Sequence, residues 1–231
     1  MRLLVILILL TSFAFAEEPI VKSTPDLSYA EKCALVIDSV SAVLTLIVII
    51  VAIWGERIRQ LWTTPKLHIS LDSSKGVLNV RNDRKKARYY ILNVENKRRS
   101  APAKNVRVLL ANILKRTPDG ASWQEMNFSK PVHVTWRWPD IVPPYTTVGP
   151  KQQSTFGYVV EGEQHFCLQL YWHPNNLDPK LPAKEPFRLE FKAVSDVAES
   201  NVLLIEIAWD GQWKEGNEEM QKHLTIKEIN T

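Results

Sequence analysis

Two cysteines and eight glycines are all that 231 residues supply, and each scarcity closes off a class of protein. Cys33 stands at the edge of an apolar run and Cys167 far away in a strand-like stretch, so no disulfide framework holds the chain. With so few glycines, phosphate-cradling loops are scarce, and neither a P-loop, a dinucleotide fingerprint nor a G-x-S-x-G elbow occurs. CxxC, HxxH and HExxH spacings are absent as well. Hydrophobic residues at 45% and charged residues at 23% exclude wholesale disorder.

Net charge is only +4, but it is unevenly spread. Residues 1–54 carry 3 basic and 5 acidic side chains, residues 55–110 carry 14 and 4, and residues 111–231 carry 12 and 16. The basic middle block follows the most hydrophobic part of the chain. That order matches the positive-inside rule and attraction to anionic lipid. Nucleic acid is not an expected partner, because the block shows no helix-turn-helix, zinc finger or other nucleic-acid module.

Two apolar runs open the chain. Residues 1–16 place Arg2 before an apolar core that ends Ala14-Phe15-Ala16, the pattern of a cleavable secretory signal peptide. The second, Ala34 to Trp54, would make about 31 Å of helix, enough to cross the hydrocarbon core of a bilayer. Glu17, Glu18, Asp26 and Glu31 outnumber Lys22 and Lys32 before it, while Arg57, Arg59 and Lys66 follow it. The expected topology is an inner or plasma membrane protein with its N-terminus outside and its soluble domain in the cytoplasm. The segments read as a signal peptide (1–16), a short extracytoplasmic stretch (17–33), a transmembrane helix (34–54), a juxtamembrane linker (55–66) and a soluble domain (67–231). Trp54 and Trp62 flank the span as interfacial anchors. Asp38, Ser41 and Thr45 share one helix face with Ala34 and Ala42, a stripe suited to helix-helix contact and a homo-oligomer.

From Leu67 onward apolar and polar residues alternate with the period of a half-buried strand. Leu67-Ile69-Leu71, Tyr90-Leu92-Val94, Val106-Val108-Leu110, Val132-Val134-Trp136-Trp138, Phe166-Leu168-Leu170-Trp172, Phe187-Leu189-Phe191 and Leu203-Ile205-Ile207-Trp209 mark the clearest strands. Weaker candidates at 77–81, 155–160 and 224–229 raise the number to nine or ten. The expected fold is an all-β antiparallel sandwich, with a barrel as the alternative. Asp210-Gly211 predicts a tight hairpin that sets Trp209 opposite Trp213. Asn217 ahead of Glu218 and Glu219, with Lys222 and His223 a turn later, predicts one short helix capped by Asn217.

Tyr90, Leu92, Val94 and Asn96, then Ala103, Asn105, Val106 and Val108, read Y-x-L-x-V-x-N followed by A-x-N-V-x-V. This resembles the strand-turn-strand unit of bacterial immunoglobulin-like modules, including cell-adhesion-related ones, and the layout is similar to that of uncharacterised bacterial membrane-anchored proteins. The matched stretch covers about 20 residues. Lys97, Arg98, Arg99 and Pro102 stand where such modules often carry glycine. The resemblance implies a binding or spacer module and carries over no catalytic residue.

Few side chains suggest chemistry. His165 and Cys167 share a strand face about 6 to 7 Å apart and suit zinc, but no third ligand is visible along the strand, and His173 lies about 26 Å further on. A solvated strand face is the expectation, with no catalytic residue, cofactor or metal assigned. Trp136, Trp138, Trp172, Trp209 and Trp213 read as core rather than as a ligand groove, since four fall on the apolar phase. Arg84, Lys85, Lys86 and Arg88 precede the expected strand 89–96, and Lys97, Arg98 and Arg99 follow it. These seven are the candidates for contact with anionic lipid headgroups. The expected function is a non-enzymatic membrane-anchored binding, scaffold or sensor module. The alternatives are an enzyme with an unrecognised site and an extracytoplasmic adhesion module.

Overall fold

A run of leucine, isoleucine, valine and alanine unbroken by proline forms helix α1, Tyr29–Thr63. The computed structural model describes residues 29–98, 101–117, 119–137 and 146–229, so the expected signal peptide and residues 17–28 lie outside it. Within α1, Val36–Gly55 is long and apolar enough to cross a membrane, and none of that stretch is buried. The helix does not stop at Trp54. It runs through most of the segment read as a linker, and ends where Pro65 disfavours helical geometry at Thr64. The chain divides into two compact units at Glu56/Arg57.

The second unit consists of antiparallel strands in two sheets. One sheet holds β1 (Leu67–Leu71), β2 (Val77–Val80), β3 (Lys86–Asn96), β7 (Thr135–Trp136), β9 (Lys151–Val160), β10 (His165–Leu168) and β11 (Lys180–Pro182). The other holds β4 (Ala103–Arg116), β5 (Trp123–Glu125), β6 (Val132–His133), β8 (Thr146–Val148), β12 (Phe187–Val194), β13 (Leu203–Trp209) and β14 (Leu224–Ile229). The described strands outnumber the nine or ten expected because two- and three-residue strands carry too little pattern to be seen in sequence. The alternation itself is obeyed. In β12, Phe187, Leu189, Phe191 and Ala193 are buried while Arg188, Glu190 and Lys192 are only partly so.

The inward faces share one core. Phe156 of the first sheet meets Phe191 of the second at a ring-centroid distance of 5.2 Å, and Tyr90 and Phe166 complete the aromatic cluster. Full burial of each such ring contributes about 1.5–3 kcal/mol. One side of the sandwich is partly closed: Leu110 pairs with Val132 in the second sheet, whereas Thr135 and Trp136 pair with β9 in the first. Val134 sits at the crossing, bridged to Leu170. This strand exchange gives the sandwich a half-barrel side.

The chain also changes sheets between β3 and β4. Asn96, almost fully buried, organises this corner: its Oδ1 accepts from Lys66 N and Arg98 N, and its Nδ2 donates to Ala101 O at 2.5 Å. Asn105 takes a left-handed φ of 52° where the β4–β8 register shifts, a conformation asparagine tolerates better than most residues. The asparagines of the strand-turn-strand pattern are thus corner-forming residues.

Two local expectations fail. Asp210-Gly211 does form a turn, but no hairpin follows. β13 leads through a loop into helix α2 (Asn217–His223), and the next strand to pair with β13 is β14, beyond that helix, which sets Leu224 opposite Trp209. Asn217 does not cap α2: Gly216 holds that position without a side-chain bond, because the Asn217 amide oxygen is taken by Arg88.

Candidate functional site

β9 and β10 form a hairpin whose turn relies on Gly162 at φ 81°. In β10, Phe166 and Leu168 enter the core, so His165 and Cys167 face the other way, with Cys167 opposite Tyr158. Glu163, in the turn itself, folds back toward them. One donor atom from each of Glu163, His165 and Cys167 lies within 4.8 Å of the other two. This corrects the reading that the pair lacks a third partner on a solvated face: Cys167 is only 7% exposed, and the third group comes from the turn rather than from further along the strand. The signal was present in sequence as Glu-x-His-x-Cys. His173 is exposed and follows a bend at Tyr171–Trp172.

The surroundings are polar but ordered. The Glu163 carboxylate offers Oε1 to Lys85 Nζ at 3.8 Å and Oε2 to His165 Nε2 at 3.0 Å. That approach leaves Nε2 unsatisfied: the atom is buried and has no hydrogen-bond partner. Burial pushes the Cys167 thiol up, an effect that the hydrogen bond with Tyr158 and the positive charges of Lys180 and Arg81 partly offset. Burial, with Cys167 beside it, also raises the Tyr158 phenol, while Arg81 acts the other way. The Arg81 guanidinium lies 5.6 Å from the Tyr158 ring centroid.

The seven lipid candidates separate into different environments. Arg84 and Lys85 are exposed in the β2–β3 turn. Lys86 already belongs to β3 and pairs with Glu215 at 2.6 Å. Arg88 is withdrawn from the list: it is 0% exposed, because alternation along β3 turns it inward with Tyr90. Its Nη1 donates to Lys75 O at 2.8 Å and to Asn217 Oδ1 at 2.5 Å, and its Nη2 to Glu215 O at 2.6 Å. At the other end of β3, Lys97 is exposed and Arg98 donates from Nη1 to Thr64 O at 3.0 Å. Arg99 lies outside the described residues.

In α1, Asp38 and Ser41 are exposed, while the Thr45 hydroxyl donates to Ser41 O at 2.8 Å and is satisfied within its own helix. Among the tryptophans, Trp136 and Trp209 are buried and Trp213 packs against the core, but Trp172 is 43% exposed because β10 ends at Leu168. Trp138 falls outside the described residues. Set against family models, curated proteins and solved structures, the chain finds no match.

Proposed function

We propose that this chain is a non-enzymatic membrane-anchored binding or sensor module. The observation that carries the proposal is Val36–Gly55, a stretch of spanning length and high hydropathy, none of it buried; in water its apolar surface would be exposed along the whole length, whereas a bilayer covers it. Acidic residues before the helix and basic residues after it favour an outside N-terminus and a cytoplasmic sandwich. Two antiparallel sheets over one core, joined by the sheet-changing corner at Asn96, support an immunoglobulin-like module. The exposed basic side chains at the two ends of β3 are its contacts to anionic headgroups, and the α1 stripe its contact to a second copy.

Fractionation of cells expressing the full chain tests this reading. The protein is expected to stay in the membrane pellet after alkaline carbonate washing, and a C-terminal reporter pair to be active only in its cytoplasmic form. Release into the carbonate supernatant would remove the anchor, and strong reporter activity on the outer side would reverse the topology.

A further inference from the structure

We propose that Glu163, His165 and Cys167 bind one zinc ion, with water as the fourth ligand; the proposal goes beyond the membrane-anchoring reading and does not depend on it. A carboxylate, an imidazole and a thiolate are the donor types of tetrahedral zinc sites, and three protein ligands plus water is the usual arrangement of an open site. Bonds of about 2.0–2.3 Å set tetrahedral ligands about 3.3–3.8 Å apart. Donor atoms already within 4.8 Å of one another need a contraction of about 1 Å, within reach of side-chain rotation.

Three further features point the same way. The first is His165 Nε2, a buried nitrogen that stands 3.0 Å from Glu163 Oε2 without hydrogen-bond geometry, a spacing that a metal ion shared by the two would satisfy. Second, the ligands are supported from outside: Tyr158 hydrogen-bonds Cys167, and Lys85 engages the Glu163 oxygen turned away from His165. Third, the charges balance. Zinc with one thiolate, one carboxylate and one neutral imidazole gives a neutral centre, which suits a half-buried place beside Arg81 and Lys180. On binding, the Cys167 thiol loses its proton to solvent as the zinc–sulfur bond forms, and the metal exchanges hydration waters for the three side chains.

The test uses the full chain, purified in detergent with any affinity tag removed and Cys33→Ser in the background, so that Cys167 alone can supply a thiolate. Zinc titration by calorimetry is expected to give one ion per chain. Cobalt in its place is expected to show the thiolate-to-metal charge-transfer band and the visible bands of a tetrahedral ion. Cys167→Ser should abolish the charge-transfer band, and Glu163→Gln and His165→Gln should each weaken zinc at least about tenfold, on the scale by which even supporting residues affect metal sites. Tyr158→Phe, which removes the hydroxyl that hydrogen-bonds the sulfur and Arg81 but leaves all three ligands in place, should weaken zinc by about tenfold while the band persists. Glu163 and His165 are partly exposed, so their variants keep the fold, and unchanged thermal melting without metal verifies it. No zinc binding at micromolar concentrations, or affinity unchanged in Cys167→Ser and Glu163→Gln, would overturn the proposal.

Discussion

Arg88 shows how a single side chain escapes a reading based on composition. In sequence it is one basic residue among many; in the fold it is a buried clamp that ties β3 to the segment ahead of β2 and to the loop that leads into α2. Its guanidinium reaches the backbone of Lys75 ahead of β2, the backbone of Glu215 in the loop after β13, and the side chain of Asn217 at the start of α2. Gly76 beside it, at φ 66°, leaves no room for a side chain, since a Cβ there would stand 2.8 Å from Arg88 Cγ and Tyr90 Cε1. Removing the guanidinium leaves several acceptors without a donor, and hydrogen bonds to charged groups contribute about 1.5–3 kcal/mol each. Arg88→Ala is therefore expected to destabilise the sandwich by about 3 kcal/mol or more, and Arg88→Lys by somewhat less, in urea denaturation followed by tryptophan fluorescence. A loss below about 1 kcal/mol for Arg88→Ala would show that the clamp is dispensable.

At the scale of elements, strand register decides which charges meet. Arg188 of β12, Glu206 of β13 and Lys227 of β14 stand side by side across the outer face of the second sheet, at 2.9 Å and 3.1 Å from the carboxylate. Arg188 also stacks over Trp123 at 4.0 Å. Burial works to raise the Glu206 carboxyl, but hydrogen bonds from Arg188 and Lys227 prevail and hold it below its ordinary 4.5. A carboxyl depressed in the folded state stabilises fully above its unfolded value and loses that stabilisation as pH falls through the folded one. The stability gap between the parent chain and Glu206→Gln should thus be constant near neutrality and narrow below about pH 4.5. Parallel stability profiles of the two proteins down to pH 3 (about one and a half units lower) would show that the cross-strand group contributes nothing specific.

β3 carries a second element-scale consequence. Its 11 residues separate the Arg84–Lys85 turn from Lys97 and Arg98 by about 34 Å, too far for both ends to lie within one Debye length of a membrane unless the strand runs along the surface. The end tied to Thr64, one residue past the helix, is the one we expect to meet headgroups. With Arg88 buried and Lys86 paired, the opposite cluster has lost much of its pull. Each basic side chain near anionic lipid contributes about 1 kcal/mol, so Lys97→Gln should weaken binding of the unit starting at Arg57 to anionic vesicles by about fivefold, and Arg84→Gln with Lys85→Gln by less. Binding that ignores salt and anionic lipid content, or none at low salt, would exclude lipid contact. Equal losses at the two ends would instead favour a strand lying flat on the surface.

For the whole molecule, the periodicities told in sequence were the ones that act over long stretches: an apolar run without alternation, then alternating residues in strand after strand. Burial imposes these patterns residue by residue, so they survive without knowledge of any partner strand. The Glu-x-His-x-Cys cluster, the inward turn of Arg88 and the displacement of Asn217 from its cap each required contacts between residues far apart in the chain or folded back by a turn. The sequence by itself determined one apolar helix of spanning length and an all-β unit with alternating faces, because hydrophobic burial writes a local period into the chain. Only the tertiary structure decided which strands pair, that β13 is followed by a helix rather than a hairpin, and that a turn glutamate joins His165 and Cys167, because register, sheet crossing and turn geometry are set by packing across the core and leave no local period to read.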